Sequence, residues 1–187
     1  ILKAIKKNQT FLLSAHVNPD IDALTSQLAM ALYLKSLGKR VYAINASKVL
    51  MMHRFLPSIH LIKQFTDQKV NYDVAIILDC GDLDRIDRVK KIIDKDKLLI
   101  NIDHHITNDL FGDLNLVKPQ ASSTGEVIFD LLKSAKAKLN KKTATLLYLG
   151  IMTDTGSFRY DNTTSHTHHI VSELLKFDFS VNDYYKK

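Results

Sequence analysis

Apolar and polar positions along this chain fall into a repeating pattern. Short, continuous apolar runs of strand length cover residues 10–15, 41–44, 74–78 and 98–102, with a shorter one at 114–117. Runs without polar alternation predict strands buried on both faces, as in a parallel sheet. Between them lie segments of helical character. A long helix is predicted from a cap at Asp22 to about residue 37. Its residues Leu24, Leu28, Ala29, Met30, Ala31, Leu32 and Leu34 are apolar almost all round, so it should be deeply buried, and Gly38 ends it. Residues 1–7 read as the tail of a helix and 51–56 as a short helix closed by Pro57. Residues 82–94 alternate with helical period. Further helices are predicted from Ser122 or Ser123 to about 135, with Glu126 completing a capping box, from Asn140 to about 152, and from Ser165 to about 175. Ser180 is read as the start of one more, with little to pack on. Strands alternating with helices predict an α/β fold with a mainly parallel sheet.

The apolar runs end in chemistry. Residues 11–15 lead into His16, Asp20 and Asp22. Residues 74–78 lead into Asp79, and 98–102 into Asp103, His104 and His105. Asp154 follows the apolar stretch 146–152, where a carboxylate opposes the helix dipole. In open α/β sheets ligands bind at the carboxyl ends of the strands, so these side chains should converge on one site. The donors are nitrogen and oxygen only. Such a set suits Mn²⁺, with Mg²⁺, Fe²⁺, Co²⁺ or Zn²⁺ as alternatives. Carboxylates gathered in one pocket raise one another's pKa, and cations remove that conflict. Six or more ligands imply two ions sharing a carboxylate, a pair suited to lowering the pKa of water and clamping phosphoryl oxygens. The N-terminus of the long helix should face the same edge and favour phosphate.

Composition narrows this reading. The chain has 187 residues, ordinary apolar content and a formal charge of +6, which suits an anionic substrate. The lysines are dispersed, so no extended nucleic-acid stripe is evident. No apolar run approaches a membrane span. The single cysteine, Cys80, excludes a disulfide framework and points to a reducing, cytoplasmic compartment; it reads as a core residue.

Four motifs carry a resemblance. His16-Val17-Asn18-Pro19-Asp20-Ile21-Asp22-Ala23, Leu78-Asp79-Cys80-Gly81-Asp82, Asp103-His104-His105 and the stretch Gly150-Ile151-Met152-Thr153-Asp154-Thr155-Gly156-Ser157-Phe158-Arg159 resemble, in order, the four motifs of the DHH phosphoesterases. Ala121-Ser122-Ser123-Thr124 and Asp161-Asn162-Thr163-Thr164 make the chain most similar to the bacterial nano-RNase and 3′-phosphoadenosine 5′-phosphate phosphatase branch. The resemblance implies a two-Mn²⁺ site. His16, Asp20 and Asp79 would hold one ion. Asp22, Asp79, His104 and Asp154 would hold the other, with Asp79 bridging. His105 would lie by the substrate phosphate, Asp103 would orient an imidazole, and Arg159 would bind phosphate. Asn18 either simply makes the Asn-Pro turn or also touches substrate. Thr25 stands where that branch usually has Gly, and its side chain is expected to narrow the phosphate approach.

The expected organisation is a catalytic domain over residues 1–176, with 177–187 opening a linker to a substrate-gripping C-terminal domain. The expected reaction is hydrolysis of short RNA or of 3′-phosphoadenosine 5′-phosphate. Rival readings are hydrolysis of cyclic or linear dinucleotides, inorganic pyrophosphatase activity, and a non-catalytic metal- or nucleotide-binding module. The oligomeric state stays open, with a homodimer among the options. Other acidic and basic groups have plainer readings. Asp82, Asp84 and Asp87 read as a solvated or capping face. His166, His168 and His169 read as surface or packing residues, and His53 and His60 receive no role.

Overall fold

The computed structural model describes residues 1–185. In chain order its elements are α1 (Leu2–Lys7), β1 (Thr10–Ala15), α2 (Ile21–Ser36), β2 (Arg40–Asn45), β3 (Ile62–Gln64), β4 (Val74–Leu78), β5 (Leu98–Asp103), β6 (Leu114–Val117), α3 (Thr124–Ser134), α4 (Lys141–Asp154), α5 (Ser165–Leu175) and α6 (Val181–Tyr185). The six strands form one sheet in the order β3-β2-β1-β4-β5-β6. Every pairing is parallel. The chain builds outward from β1 to β3, then returns to the centre and builds the other way from β4 to β6. The reversal leaves a crevice at the carboxyl ends of β1 and β4, the place where such sheets bind ligands.

Period-two alternation sorts the central strands between two cores. Phe11, Leu13, Val74, Ile76, Leu78, Ile100 and Ile102 face the helices. Leu12, Ala75 and Ile77 face the other side, covered by Tyr72, Phe65 and the 3₁₀ segment Leu83–Ile92. On the helical side α2 and α3 lie on the sheet, and α4 packs across both, with α5 against α4. α2 is buried from Asp22 through Ala31, as its apolar circumference predicts. Gly38, at φ +74°, closes it in the left-handed conformation, where the absence of a Cβ matters.

Several local expectations are corrected. The cap of α2 is Asp20, whose Oδ1 accepts from Ala23 N–H at 3.0 Å, and this leaves Asp22 inside the first turn. α5 is capped by Thr164 in a reciprocal box with Thr167, not by Ser165. Ser123 caps α3 as expected, but Glu126 reaches past it to the Ser122 N–H and hydroxyl. The stretch after Asp82 is 3₁₀ and kinks at Asp87, while Asp82 itself caps it through Asp84 N–H. The short helix after β2 is a single turn, Met51–His53. β3 was not anticipated: it has three residues, two of them exposed, too short for a periodic signal. Residues after Phe177 do find packing partners: Phe179 is buried against Tyr148 at 5.2 Å, and Tyr184 meets Phe55 at 6.1 Å. The expected linker extends to Lys187, and its last two residues lie outside the described ones.

Candidate metal centre

Five carboxyl-edge segments deliver the titratable groups. β1 ends at Ala15, directly before His16. α2 starts at the crevice and supplies Asp20 as its cap and Asp22 in its first turn, where a carboxylate suits the dipole. β4 ends at Leu78, directly before Asp79, and β5 ends in Asp103, followed by His104 and His105. α4 ends in Asp154. A buried network ties these ends together. The Gln27 side-chain amide donates to Leu13 O and Asn45 Oδ1, and the Asn45 amide donates back to Gln27, locking β1, β2 and α2.

The groups meet in three sets of metal-competent atoms: His16, Asp20 and Asp79; Asp22, His104 and Asp154; and Asp79, His104 and His105. Asp79 lies between the first two. Its Oδ2 stands 3.6 Å from His16 Nε2 and its Oδ1 3.7 Å from His104 Nε2. His104 Nε2 also lies 3.1 Å from Asp154 Oδ2, and His16 Nε2 lies 3.8 Å from Asp20 Oδ2. Both imidazoles are aimed by their other nitrogen. Nδ1 of His16 donates to Val17 O at 2.8 Å, and Nδ1 of His104 donates to Ala121 O at 3.3 Å. A carbonyl can only accept, so in the neutral rings the Nε2 lone pairs face the cluster.

Asp22 is fully buried. Its Oδ2 accepts from Thr124 N–H at 2.7 Å, and its Oδ1 accepts from Gly125 N–H at 3.0 Å and from the Ser26 hydroxyl. The free N–H groups at the start of α3 therefore hold a carboxylate of the chain itself. The Thr124 hydroxyl donates to Asp79 Oδ1 at 2.8 Å. Space for Asp22 is made on α4, where a Cβ at Gly150 would stand 2.4 Å from its Oδ1. The same Cβ would stand 2.7 Å from Thr25 Oγ1. Thr25 is wholly buried at this helix contact, so it fills the α2–α4 interface and does not narrow a phosphate approach.

Electrostatics follow from crowding. Burial, then the Asp79 and Asp154 charges, push the Asp22 carboxyl well above the ordinary range. Burial also raises Asp20. Burial alone would lower His104, but the Asp154 hydrogen bond and the Asp22 and Asp79 charges carry it up to about 9. His16 likewise ends raised: burial opposes its charge, and the Asp79 bond and charge, the Val17 bond and the Asp20 charge together outweigh it. Protons thus relieve an excess of negative charge that divalent cations would relieve instead. With its nitrogen and oxygen donors and aimed Nε2 lone pairs, the cluster fits such ions.

Beside it, the Asp103 carboxylate contacts His105 Nδ1 at 2.7 Å through Oδ1 and accepts from Asn108 Nδ2 at 2.6 Å through Oδ2. The Asp103 hydrogen bond raises His105. Burial works against the Asp103 charge, but the His105 and Asn108 bonds bring its pKa down. The two candidate substrate residues lie apart from these bonds. Arg159 is exposed, and its Nε donates to Gly156 O at 2.7 Å. Asn18, at φ +52°, is stapled to Ser47, which donates to its Oδ1 and accepts from its N–H. Cys80 is buried in the core, and burial pushes its thiol up to about 12. His166 pairs with Asp130 at 3.2 Å on the surface.

Thr124, Gly125, Asn108 and Asn162 were not singled out from sequence. Asn162 donates to both Ser122 O and Asp154 O, joining the end of α4 to the start of α3. The Ala-Ser-Ser-Thr and Asp-Asn-Thr-Thr stretches contain two of them, but nothing in their spacing says which atoms they hold.

A protein of Streptococcus mutans named as a probable bifunctional oligoribonuclease and PAP phosphatase, NrnA, is 38% identical over 182 residues, covering 96% of this chain and 56% of its own length. The Bacillus subtilis protein named as a bifunctional oligoribonuclease and PAP phosphatase is 32% identical over all of this chain and 59% of its own. The chain thus spans a little over half the length of these relatives. The crystal structure of an exopolyphosphatase-related protein from Bacteroides fragilis matches with a TM-score of 0.92 at 29% identity, over 99% of this chain and 57% of that one. The model of the DHH family, N-terminal domain, matches residues 10–151, so the chain belongs to the DHH family.

Proposed function

We propose that this chain carries the catalytic centre of a two-metal phosphoesterase acting on short oligoribonucleotides and on 3′-phosphoadenosine 5′-phosphate. The observation that carries the reading is the position of Asp79 between two three-donor sets at the sheet's crevice, with Oδ2 3.6 Å from His16 Nε2 and Oδ1 3.7 Å from His104 Nε2. His16, Asp20 and Asp79 would hold one divalent ion, and Asp22, Asp79, His104 and Asp154 the other, with Mn²⁺ the best match to mixed imidazole and carboxylate donors. When bound, such a pair supplies a water of lowered pKa and a clamp on phosphoryl oxygens.

The remaining work falls to side chains of the chain itself. His105 is about one-third exposed, and Asp103 holds its Nδ1, so Nε2 is the nitrogen left for substrate. Its raised pKa keeps a proton available for a phosphate oxygen or the leaving oxygen. Asp103 and Asn108 fix the ring. Arg159, its Nε held by Gly156 O, would grip phosphate bidentately through its two Nη groups. The names of the relatives support the nucleotide reading. Among the described residues no helix is long and apolar enough to cross a membrane.

The test is a hydrolysis panel with the full-length protein in Mn²⁺: a dinucleotide RNA, a long RNA, 3′-phosphoadenosine 5′-phosphate, a cyclic dinucleotide and pyrophosphate, with His104→Ala alongside. Turnover of the dinucleotide and the bisphosphate, lost in the variant, is expected. Turnover of only the cyclic dinucleotide or pyrophosphate would move the chain to another substrate class. Full activity in EDTA would end the metal mechanism.

A further inference from the structure

Thr124 is the first residue of α3, directly after the Ser123 cap. Side chains in a first helical turn lean toward the N-terminus, so its hydroxyl and its N–H face the same crevice. Each makes one bond to a different carboxylate: the hydroxyl to Asp79 Oδ1 at 2.8 Å, the N–H to Asp22 Oδ2 at 2.7 Å. Thr124 is wholly buried, so no water competes for these bonds.

The consequence lies in how Asp79 is turned. The last torsion of an aspartate is broad and roughly two-fold, so the chain alone does not fix the carboxylate plane. The backbone of Asp79 is fixed separately, at φ +52°, by its N–H bond to Ile102 O at 3.0 Å. With the Thr124 proton on Oδ1, that oxygen stays on the His104 side and Oδ2 is left facing His16. An oxygen that accepts one hydrogen bond keeps a second lone pair for a cation.

We propose that Thr124 is the positioning residue that makes Asp79 a bridge, presenting one carboxylate oxygen to each of the two donor sets. The inference rests on reading the cluster as a metal centre. Glu126 supports it from behind, because its carboxylate accepts from Ser122 N–H, the Ser122 hydroxyl and the Thr167 hydroxyl and so holds the start of α3 against α5.

The test is Mn²⁺ binding by the intact protein, followed by calorimetry and by the magnetic coupling between paired Mn²⁺ ions in electron paramagnetic resonance. Thr124→Val keeps the shape and the N–H bond to Asp22 but removes the hydroxyl; Thr124→Ala is the second variant if valine does not fold; Thr124→Ser restores the hydroxyl. Melting of each in EDTA reports the fold separately. Wild type should bind two coupled ions. Thr124→Val should bind the second ion about tenfold or more weakly and lose the coupling, at the scale seen when a ligand's hydrogen-bond partner is removed, with Thr124→Ser recovering both. Two coupled ions at wild-type affinity in the valine or alanine variant would overturn the proposal. So would weak binding that serine fails to rescue, since the hydroxyl would then not be the cause. Fewer than two ions in wild type would overturn the two-metal reading and this inference together.

Discussion

The two donor sets on either side of Asp79 are built differently. In the outer set, Asp20 has a side chain 61% exposed and doubles as the cap of α2. In the inner set, Asp22 is 1% exposed and is gripped by two N–H groups of α3 and by Ser26, with Gly150 cleared to admit it. One position is a rim held by a short, wet carboxylate, and the other is a pocket whose walls come from three helices. The inner position should be rigid and slow to exchange its ion, while the outer should fill last and empty first.

Asp79→Asn strikes both sets at once and should have the largest effect, a loss of roughly three orders of magnitude or more in kcat/KM, above about 4 kcal/mol of transition-state stabilisation. Steady-state hydrolysis of a dinucleotide RNA measures it. Asp22→Asn and Asp20→Asn then separate the sets. The inner change should cost on the order of a hundredfold in metal affinity and resist rescue by excess Mn²⁺. The outer change should cost about tenfold and recover as Mn²⁺ is raised. Equal rescue of both would erase the contrast. Gly150→Ala pushes a methyl against Asp22 and Thr25. It should lower stability by about 1–3 kcal/mol in a denaturant melt and weaken the inner ion while sparing the outer one.

The smallest effect concerns protons. His104 sits at about 9 in the metal-free fold against an ordinary 6.5, so its charged form stabilises that fold fully below pH 6.5, and the contribution fades as pH rises through about 9. The raised Asp22, Asp20 and His16 change stability in the same sense. In EDTA the protein should therefore melt a few degrees lower at pH 9.5 than at pH 6.5, a difference on the order of 1 kcal/mol. Mg²⁺ should flatten the slope, and its binding at pH 7 should release about one proton, detectable by calorimetry in buffers of different ionisation heat. A flat melting profile in EDTA would remove protons as stand-ins for cations.

The same contrast marks what the sequence discloses. Strands β1, β4 and β5 were legible because continuous apolar runs have few other uses, and the residues after them inherit the crevice from the sheet. His16, Asp20, Asp22, Asp79 and His104 could be picked out on that basis, whereas Asp154 ends a helix and rested on its own apolar stretch and motif. Their support could not. Thr124 reads as one more hydroxyl near a helix start, and only the packing of α3 against α2 reveals that it holds two carboxylates 102 and 45 residues away. Thr25 was misjudged for a related reason: its neighbour across the interface, Gly150, lies on another helix. The cap of α2 was misplaced by two residues because Asp20 and Asp22 both suit a first turn, and tertiary contacts decided between them.

Left-handed backbone recurs around the crevice at residues other than glycine: Asn18, Asp79, Ser157 and Phe158 all have φ between 52° and 66°. Each such residue costs about 1–2 kcal/mol relative to a relaxed conformation. A library of variants selected for heat resistance alone would therefore drift toward glycine at these positions. At Asn18 that drift would give up the bond from the Ser47 hydroxyl. At Asp79 the sturdier protein would have discarded the carboxylate that stands between the two donor sets. The loop after β4 is a place where a strained backbone carries an aimed oxygen, and engineers of this domain should leave it as it is.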